Sequence, residues 1–220
     1  MENKKVLNLY AGIGGNRKLW LNVDVTALEF NPEIAKVYQD FYPNDKVIIA
    51  DAHQYLIEHY KEFDFIWTSP PCQTHSSFRF NIGVRFRGVK EEYPDMRLYQ
   101  EIIFLQHHSK CPFVVENVKP YYEPLIPAQQ LQRHLFWSNF KIPETEIKND
   151  IIREAQIPDL QKLYGFDLSK YKLQNKRQIL RNCVSPELGQ HIFKSAFKEE
   201  KQVALNSLPI LKDGVSLEAK

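Results

Sequence analysis

The chain has 220 residues, enough for one domain with a real core or one domain plus a small appendage. Its 43% hydrophobic and 25% charged residues are those of an ordinary globular protein, and no apolar run approaches the ~20 residues of a bilayer span, so no membrane partner is expected. The net charge of +2 neither demands nor forbids a nucleic-acid partner, so charge has to be read locally. Residues 74–90 carry Arg79, Arg85, Arg87 and Lys90 with no acid, and residues 172–181 carry Lys172, Lys176, Arg177 and Arg181 with no acid. Each stretch is either a solvated face or a basic contact surface. Cys72, Cys111 and Cys183 are odd in number, far apart and without a C-x-x-C. That argues against a disulfide framework and against a metal site, and suits a reducing compartment. The N-terminus runs straight into a strand-like pattern with no signal-peptide layout, so a cytoplasmic setting is expected.

Short apolar runs at 5–10, 25–30, 46–51, 63–68 and 112–117 read as strands. Helix-like segments lie between them at 15–21, 32–41, 52–61 and 93–109, with Asn31-Pro32 and Asp51-Ala52 as helix starts. This alternation predicts an α/β fold, a largely parallel sheet with helices on both faces. After Val118 the rhythm breaks. Residues 119–131 hold three prolines and read as an irregular connection, and 134–137 read as a strand. Residues 138–176 look like a small insertion, and 177–184 are expected to return to the sheet. Pro186 opens a helix to about Lys198, and the tail 199–220 is expected to be partly disordered. The domain reading is therefore a core at 1–137, an insertion at 138–176, a return to the core at 177–198 and a tail.

Strand one runs into Tyr10-Ala11-Gly12-Ile13-Gly14-Gly15-Asn16. Glycines at a strand-to-helix junction permit a tight turn and a close approach to a ligand. Glu29 ends the second strand and Asp51 the third. In an open parallel sheet these positions face a common ligand edge. The first carboxylate suits ribose hydroxyls and the second an adenine amine, although Asp51 equally suits a helix cap. There is no G-K-[ST], and no third glycine completes G-x-G-x-x-G. A cofactor with an adenosine but no phosphate fits best, which points to S-adenosylmethionine.

Strand four ends in Thr68-Ser69-Pro70-Pro71-Cys72-Gln73, and strand five in Glu116-Asn117-Val118, so both reach the same edge. A cysteine in such a loop is open to the ligand, and a backbone dipole there is expected to lower its pKa. Cys111 reads as a buried structural cysteine.

Four segments in order resemble signature motifs of the DNA cytosine-5 methyltransferases. They are Tyr10-Ala-Gly-Ile-Gly-Gly, Pro71-Cys72-Gln73, Glu116-Asn117-Val118 and Arg181-Asn182-Cys183-Val184-x-Pro186; Asp95-Met96-Arg97 resembles another. The resemblance covers residues 5–193 and implies a Rossmann-like S-adenosylmethionine-dependent methyltransferase fold, with S-adenosylhomocysteine as product. It implies Cys72 as the thiolate that adds to C6 of a flipped-out cytosine, and Glu116 as the group that holds N3 and the exocyclic amine. Cofactor contacts would come from Tyr10, Gly12, Gly14, Gly15, Glu29, Asp51, Pro71, Asn182 and Val184. Nucleic-acid contacts would come from Gln73, Ser76, Arg79, Arg85 and Arg87, in the loop that follows the nucleophile. The implied partner is double-stranded DNA, with a monomeric enzyme in a bacterial or phage-encoded restriction-modification setting.

The chain departs from the family at two places. The family's Gln-x-Arg-x-Arg run aligns with Gln130-Leu131-Gln132-Arg133-His134, so Gln132 and His134 stand at the arginine positions. Arg133 with a local shift is the expected substitute for the arginine that holds the base. The region available for target recognition is also short, about 138–176. A tRNA cytosine-5 methyltransferase is the alternative within the family, and a non-catalytic binding module the alternative outside enzymes.

Overall fold

The run Val6–Leu9 is buried on both faces, which only a central strand allows. In the computed structural model, which describes residues 2–147 and 155–198, this run is β1 (Lys4–Leu9). It pairs in parallel with β2 (Val23–Leu28) on one side and β4 (Phe65–Thr68) on the other. β3 (Lys46–Ile48) extends β2, and β5 (Phe113–Val118) extends β4, again in parallel. β7 (His134–Ser138) runs antiparallel to β5, with the short β6 (Gln129–Leu131) as its hairpin partner. The order across the sheet is β3-β2-β1-β4-β5-β7-β6.

Alternate strand residues feed two cores. On one face Val6, Val25, Phe65, Trp67 and Phe136 pack with α1 (Pro32–Phe41) and α7 (Pro186–Ala196) through Tyr38, Leu188, Ile192 and Phe193. On the other face Leu7, Leu9, Leu28, Ile66, Phe113 and Val115 pack with α2 (Ala52–His59) and the helix Arg97–His108 through Leu56, Leu98, Ile102 and Leu105. Helix starts follow the expected chemistry. Asn31 accepts from the Glu33 and Ile34 amides ahead of Pro32, and Asp51 accepts from His53 and Gln54. The loop after β4 holds a π-helical turn (Arg79–Val84) and a single turn, α3 (Arg85–Arg87), before α4 (Arg97–His108).

Three expectations need correction. Residues 15–21 form successive turns, not a helix. The Lys18 amide bonds to Gly15 O and the Trp20 amide to Arg17 O, while the Arg17 side chain is pulled to Asp45 and Trp20 into the core. The connection 119–131 is not wholly irregular, because its last residues become β6. Residues 177–184 do not rejoin the sheet: α6 (Lys176–Arg181) is a helix that buries Leu180 alone. β6 already holds that edge of the sheet.

Between β7 and α6, α5 (Ile157–Tyr164), Phe166 and Leu168 pack with Ile13, Val37 and Leu180 in a third apolar cluster. No helix among the described residues is long and apolar enough to cross a membrane. The tail expected at 199–220 lies outside the described residues.

α7 reaches the sheet through a backbone contact. Gly189 rests on Asn16, whose Cα would lie 2.7 Å from an added Cβ, and Gly189 O accepts from Trp20 Nε1 at 3.1 Å. Gly189→Ala is therefore expected to cost about 1–3 kcal/mol through overpacking. Urea unfolding should show a lower midpoint at unchanged slope; an unchanged midpoint would show that α7 shifts without cost.

Candidate active site

The carboxyl ends of β1, β2, β4 and β5, with the loops that follow them and β3, open on one cavity of about 1320 Å³. It gathers residues from both halves of the sequence pattern. Tyr10, Gly12, Gly15, Glu29, Asp51, Pro71, Asn182 and Val184 line it, together with Cys72, Glu116 and Arg133. Of the residues expected at the nucleic acid, Gln73, Ser76 and Arg87 line it too, and Arg79 and Arg85 do not.

The glycine loop begins in a left-handed conformation, with φ of 55° at Tyr10, 56° at Gly12 and 82° at Gly14. Tyr10 is not a glycine, so its backbone is held by what its ring touches. Its hydroxyl donates to Glu101 at 2.6 Å. Glu101 is buried on α4 and also receives Thr68 Oγ1 at 2.6 Å and faces His53 Nδ1 at 3.0 Å. This brace was not foreseen in the sequence; the signal was an acid inside the apolar stripe of a helix. Gly14 lies off the cavity, where an added Cβ would strike the Tyr42 and Tyr38 rings. Gly15 meets the chain after α6: a Cβ there would stand 2.7 Å from Val184 O and 2.8 Å from Cys183 Cβ.

The Glu29 carboxylate accepts from the Gly12 amide at 3.0 Å and the Asn31 amide at 2.9 Å. Burial raises its pKa, and these amides oppose the rise. Asp51 caps α2 and lies 3.7 Å from Arg97 Nη1. Phe30, beside Glu29, is exposed and lines the cavity, a position the sequence reading passed over. An apolar ring on the same cavity wall as two strand-end carboxylates suits a purine and its ribose.

On the other side of the cavity, Asn117 Nδ2 donates to Pro70 O at 2.9 Å, tying the Cys72 loop to the end of β5. His75 is fully buried; its Nε2 lies 3.1 Å from Asp95 O and its Nδ1 2.6 Å from the Tyr122 hydroxyl. The Cys72 thiol is pushed up to about 11 by burial first and by Glu116 second, with Arg133 opposing. This is opposite in direction to the expected lowering, because burial and the negative charge of Glu116 outweigh the loop backbone and Arg133. Burial likewise pushes the Glu116 carboxyl up to about 7, against a hydrogen bond from Ser69 and the charge of Arg133. Arg133 Nη2 donates to Arg181 O at 2.6 Å and to Cys183 O at 3.3 Å, so the guanidinium also fastens the hairpin turn to the segment after α6. Cys183 is buried, while Cys111 is only half-buried beside Ser109.

In the loop after Cys72, Arg79 Nη2 pairs with Glu92 at 3.2 Å and Arg85 lies over the Phe80 ring. Phe78, Phe86 and Tyr93 are exposed around them.

A mostly parallel seven-stranded sheet, flanked by helices and opening on a cavity lined with strand-end carboxylates, is an α/β fold of the kind that binds ligands at the carboxyl ends of its strands. The model of the C-5 cytosine-specific DNA methylase family matches residues 4–125, more than half of the chain, and the chain belongs to this family. Among solved structures, it is similar to a mutant of DNMT2 from Spodoptera frugiperda, at 25% identity and a TM-score of 0.40. That match covers 53% of this chain and 36% of the DNMT2 chain. It is also similar to a SAM-dependent methyltransferase from Agrobacterium tumefaciens, at 16% identity and a TM-score of 0.37, over 54% of this chain and 39% of that one. No curated protein sequence matches it. The cofactor expected from the sequence is S-adenosylmethionine.

The residues present fit that cofactor, and Glu29 gives the direct check. Truncating a carboxylate that takes charge-assisted bonds from a ribose weakens binding by roughly 1.5–3 kcal/mol, about ten- to a hundredfold. Glu29→Ala should show that loss in calorimetry with S-adenosylmethionine. Unchanged affinity in a folded variant would leave Glu29 as a brace for Gly12 alone.

Proposed function

We propose that the chain transfers a methyl group from S-adenosylmethionine to C5 of cytosine in double-stranded DNA. The observation that carries the proposal is the single cavity in which Cys72, Glu116 and Arg133 stand beside the glycine loop and Glu29. Tyr10, Gly12, Gly15, Glu29, Asp51, Pro71, Asn182 and Val184 would hold the cofactor, which supplies an electrophilic methyl group when bound. Gly14 would shape the loop from behind.

Carbon 5 of cytosine is a weak nucleophile. Addition of the Cys72 thiolate at C6 breaks the ring's aromaticity and makes C5 enamine-like. Glu116 would donate a proton to N3 and accept from the exocyclic amine, stabilising the adduct. While Glu116 holds its proton, before passing it to N3, one of the two causes that raise the Cys72 thiol is absent and Arg133 is the facing cation. After methyl transfer, loss of the C5 proton to water, departure of the Cys72 sulfur as thiolate and return of the N3 proton to Glu116 restore the aromatic ring. The target has to leave the stack to reach this depth, so base flipping is part of the proposal. Gln73, Ser76, Arg79, Arg85 and Arg87 would contact the DNA, and exposed Phe78 and Phe86 would fill the space left by the base. Residues 138–176 would share target recognition with this loop.

Radiolabelled methyl transfer to duplex DNA and to tRNA tests the substrate, with label expected in DNA and none in tRNA. A duplex with 5-fluorocytosine at the target tests the nucleophile. Fluorine cannot leave as a proton does, so elimination stalls and the protein stays on the DNA. Wild type, Cys111→Ser and Cys183→Ser should form the adduct on a denaturing gel, and Cys72→Ser should not, because a serine hydroxyl is almost wholly protonated and less nucleophilic. An adduct with Cys72→Ser equal to wild type would falsify the mechanism.

The loop proposal has its own check. Replacing Arg79, Arg85 and Arg87 together with Ala should weaken DNA binding and flatten its salt dependence, by about 0.9 in the log–log slope for each phosphate no longer neutralised. S-adenosylmethionine binding should survive. An unchanged slope would place the three arginines away from phosphates.

A further inference from the structure

The β6–β7 hairpin brings two side chains to the cavity wall beside Glu116: Arg133 from its turn and His134 from the first position of β7. In the antiparallel register Glu116 stands opposite Phe136, and Val118 opposite His134. Residues two apart on a strand share a face, so Glu116 and His134 project from the same side of the sheet. They meet there. His134 Nε2 lies 3.6 Å from Glu116 Oε1, with the two side chains 4% and 8% exposed. His134 Nδ1 is buried and has no hydrogen-bond partner among the described residues. A protonated ring would leave a charged donor unpaired in a dry site, and Arg133 stands nearby as a like charge. Both effects push the imidazole down to about 3, so the ring is neutral.

We infer that His134 is a positioning residue for Glu116: a neutral ring packed on the carboxyl that leaves it able to take up and release a proton near neutral pH. The inference rests on the proposed role of Glu116 at the target base. An arginine at this place, as the family alignment would put there, sets a fixed cation against the carboxyl and holds it ionised. The groups that face Glu116 are Ser69 at the end of β4, Cys72 in the loop that follows, and Arg133 and His134 on the hairpin. Ser69 and Arg133 favour the carboxylate, and burial outweighs them. A second cation would tip that balance; a neutral imidazole does not. The proton then has a closed path. It passes from the Glu116 O–H to N3 as the Cys72 sulfur bonds to C6, and returns to Glu116 when sulfur leaves.

The test is a titration of the Glu116 carboxyl by 13C NMR in the full chain, with Glu116→Gln assigning the resonance. The wild-type midpoint is expected at about 7. His134→Gln, neutral and similar in size, should stay within a few tenths of a unit, whereas His134→Arg and His134→Lys should move it down by about one unit or more. The alkaline limb of kcat/KM for DNA methylation, where Glu116 loses the proton it must donate, should move with it. A midpoint unmoved in a folded cationic variant overturns the inference, and so does a moved midpoint with an unmoved alkaline limb. A wild-type midpoint near the ordinary glutamate value of about 4.3 overturns it without any variant. Failure of the underlying reading looks different: the titration shifts as expected while Cys72→Ser still forms the fluorocytosine adduct.

Discussion

The chemistry of the cavity turns on one electrostatic constraint: Cys72 and Glu116 line the same cavity wall, where their charged forms oppose each other. Each group is shifted toward its neutral form by burial, and the negative charge of Glu116 raises the thiol further. Two such groups titrate as a pair, so protonation of one favours ionisation of the other. On the proposed mechanism, a Glu116 that is still protonated when the base docks would favour the thiolate, and its proton would pass to N3 only as the carbon–sulfur bond forms. With its pKa raised, Cys72 rests as a thiol, a form less open to oxidation and to stray electrophiles than a thiolate. Arg133 is the cation that both groups feel, and its bonds to the carbonyls of Arg181 and Cys183 fix where that charge sits.

That placement depends on a second constraint, the close return of the chain after α6. Gly15 has no room for a Cβ because Cys183 and Val184 lie against it, and Gly189 has none because Asn16 does. Two glycines 174 residues apart thus let the cofactor loop and the C-terminal segment touch backbone to backbone. The cavity wall made by Asn182 and Val184 exists through these contacts. Helix α7 secures them from below, with Ile192 and Phe193 in the same core as Trp20 and Phe65.

Much of this was legible in the sequence, and the reason is the parallel sheet. When every strand runs the same way, the residues that follow them fall on one edge, so Glu29, Asp51, Cys72 and Glu116 could be grouped from their position after apolar runs alone. What escaped was whatever depends on a partner distant in sequence. Six residues with one buried leucine do not reveal whether Lys176–Arg181 is strand or helix; the occupied sheet edge decides. The Cys72 pKa was read with the wrong sign because the loop suggested dipoles, while the dominant causes, burial and Glu116, come from β5. Gly14 looked like part of the ligand loop, yet its lack of a side chain serves Tyr38 and Tyr42. Glu101 was overlooked because an acid in a helix is usually solvated, and only the fold brings Tyr10, Thr68 and His53 to it.

The short region after β7 raises a different physical point. Fewer than about 40 residues rarely sustain a core of their own. Leu160, Phe166 and Leu168 accordingly bury themselves in a cluster completed by Val37 of α1, Leu180 of α6 and Ile13 of the glycine loop. If this region recognises the target, it does so as part of the catalytic body and not as a separate module. Ile13 sits between Gly12 and Gly14, so a shift of α5 on binding DNA would press on the loop that holds the cofactor. A larger recognition domain with its own core would absorb such a shift internally. On the proposed reading, recognition and cofactor binding would share one apolar cluster, and coupling between them would follow from the small size of the insertion.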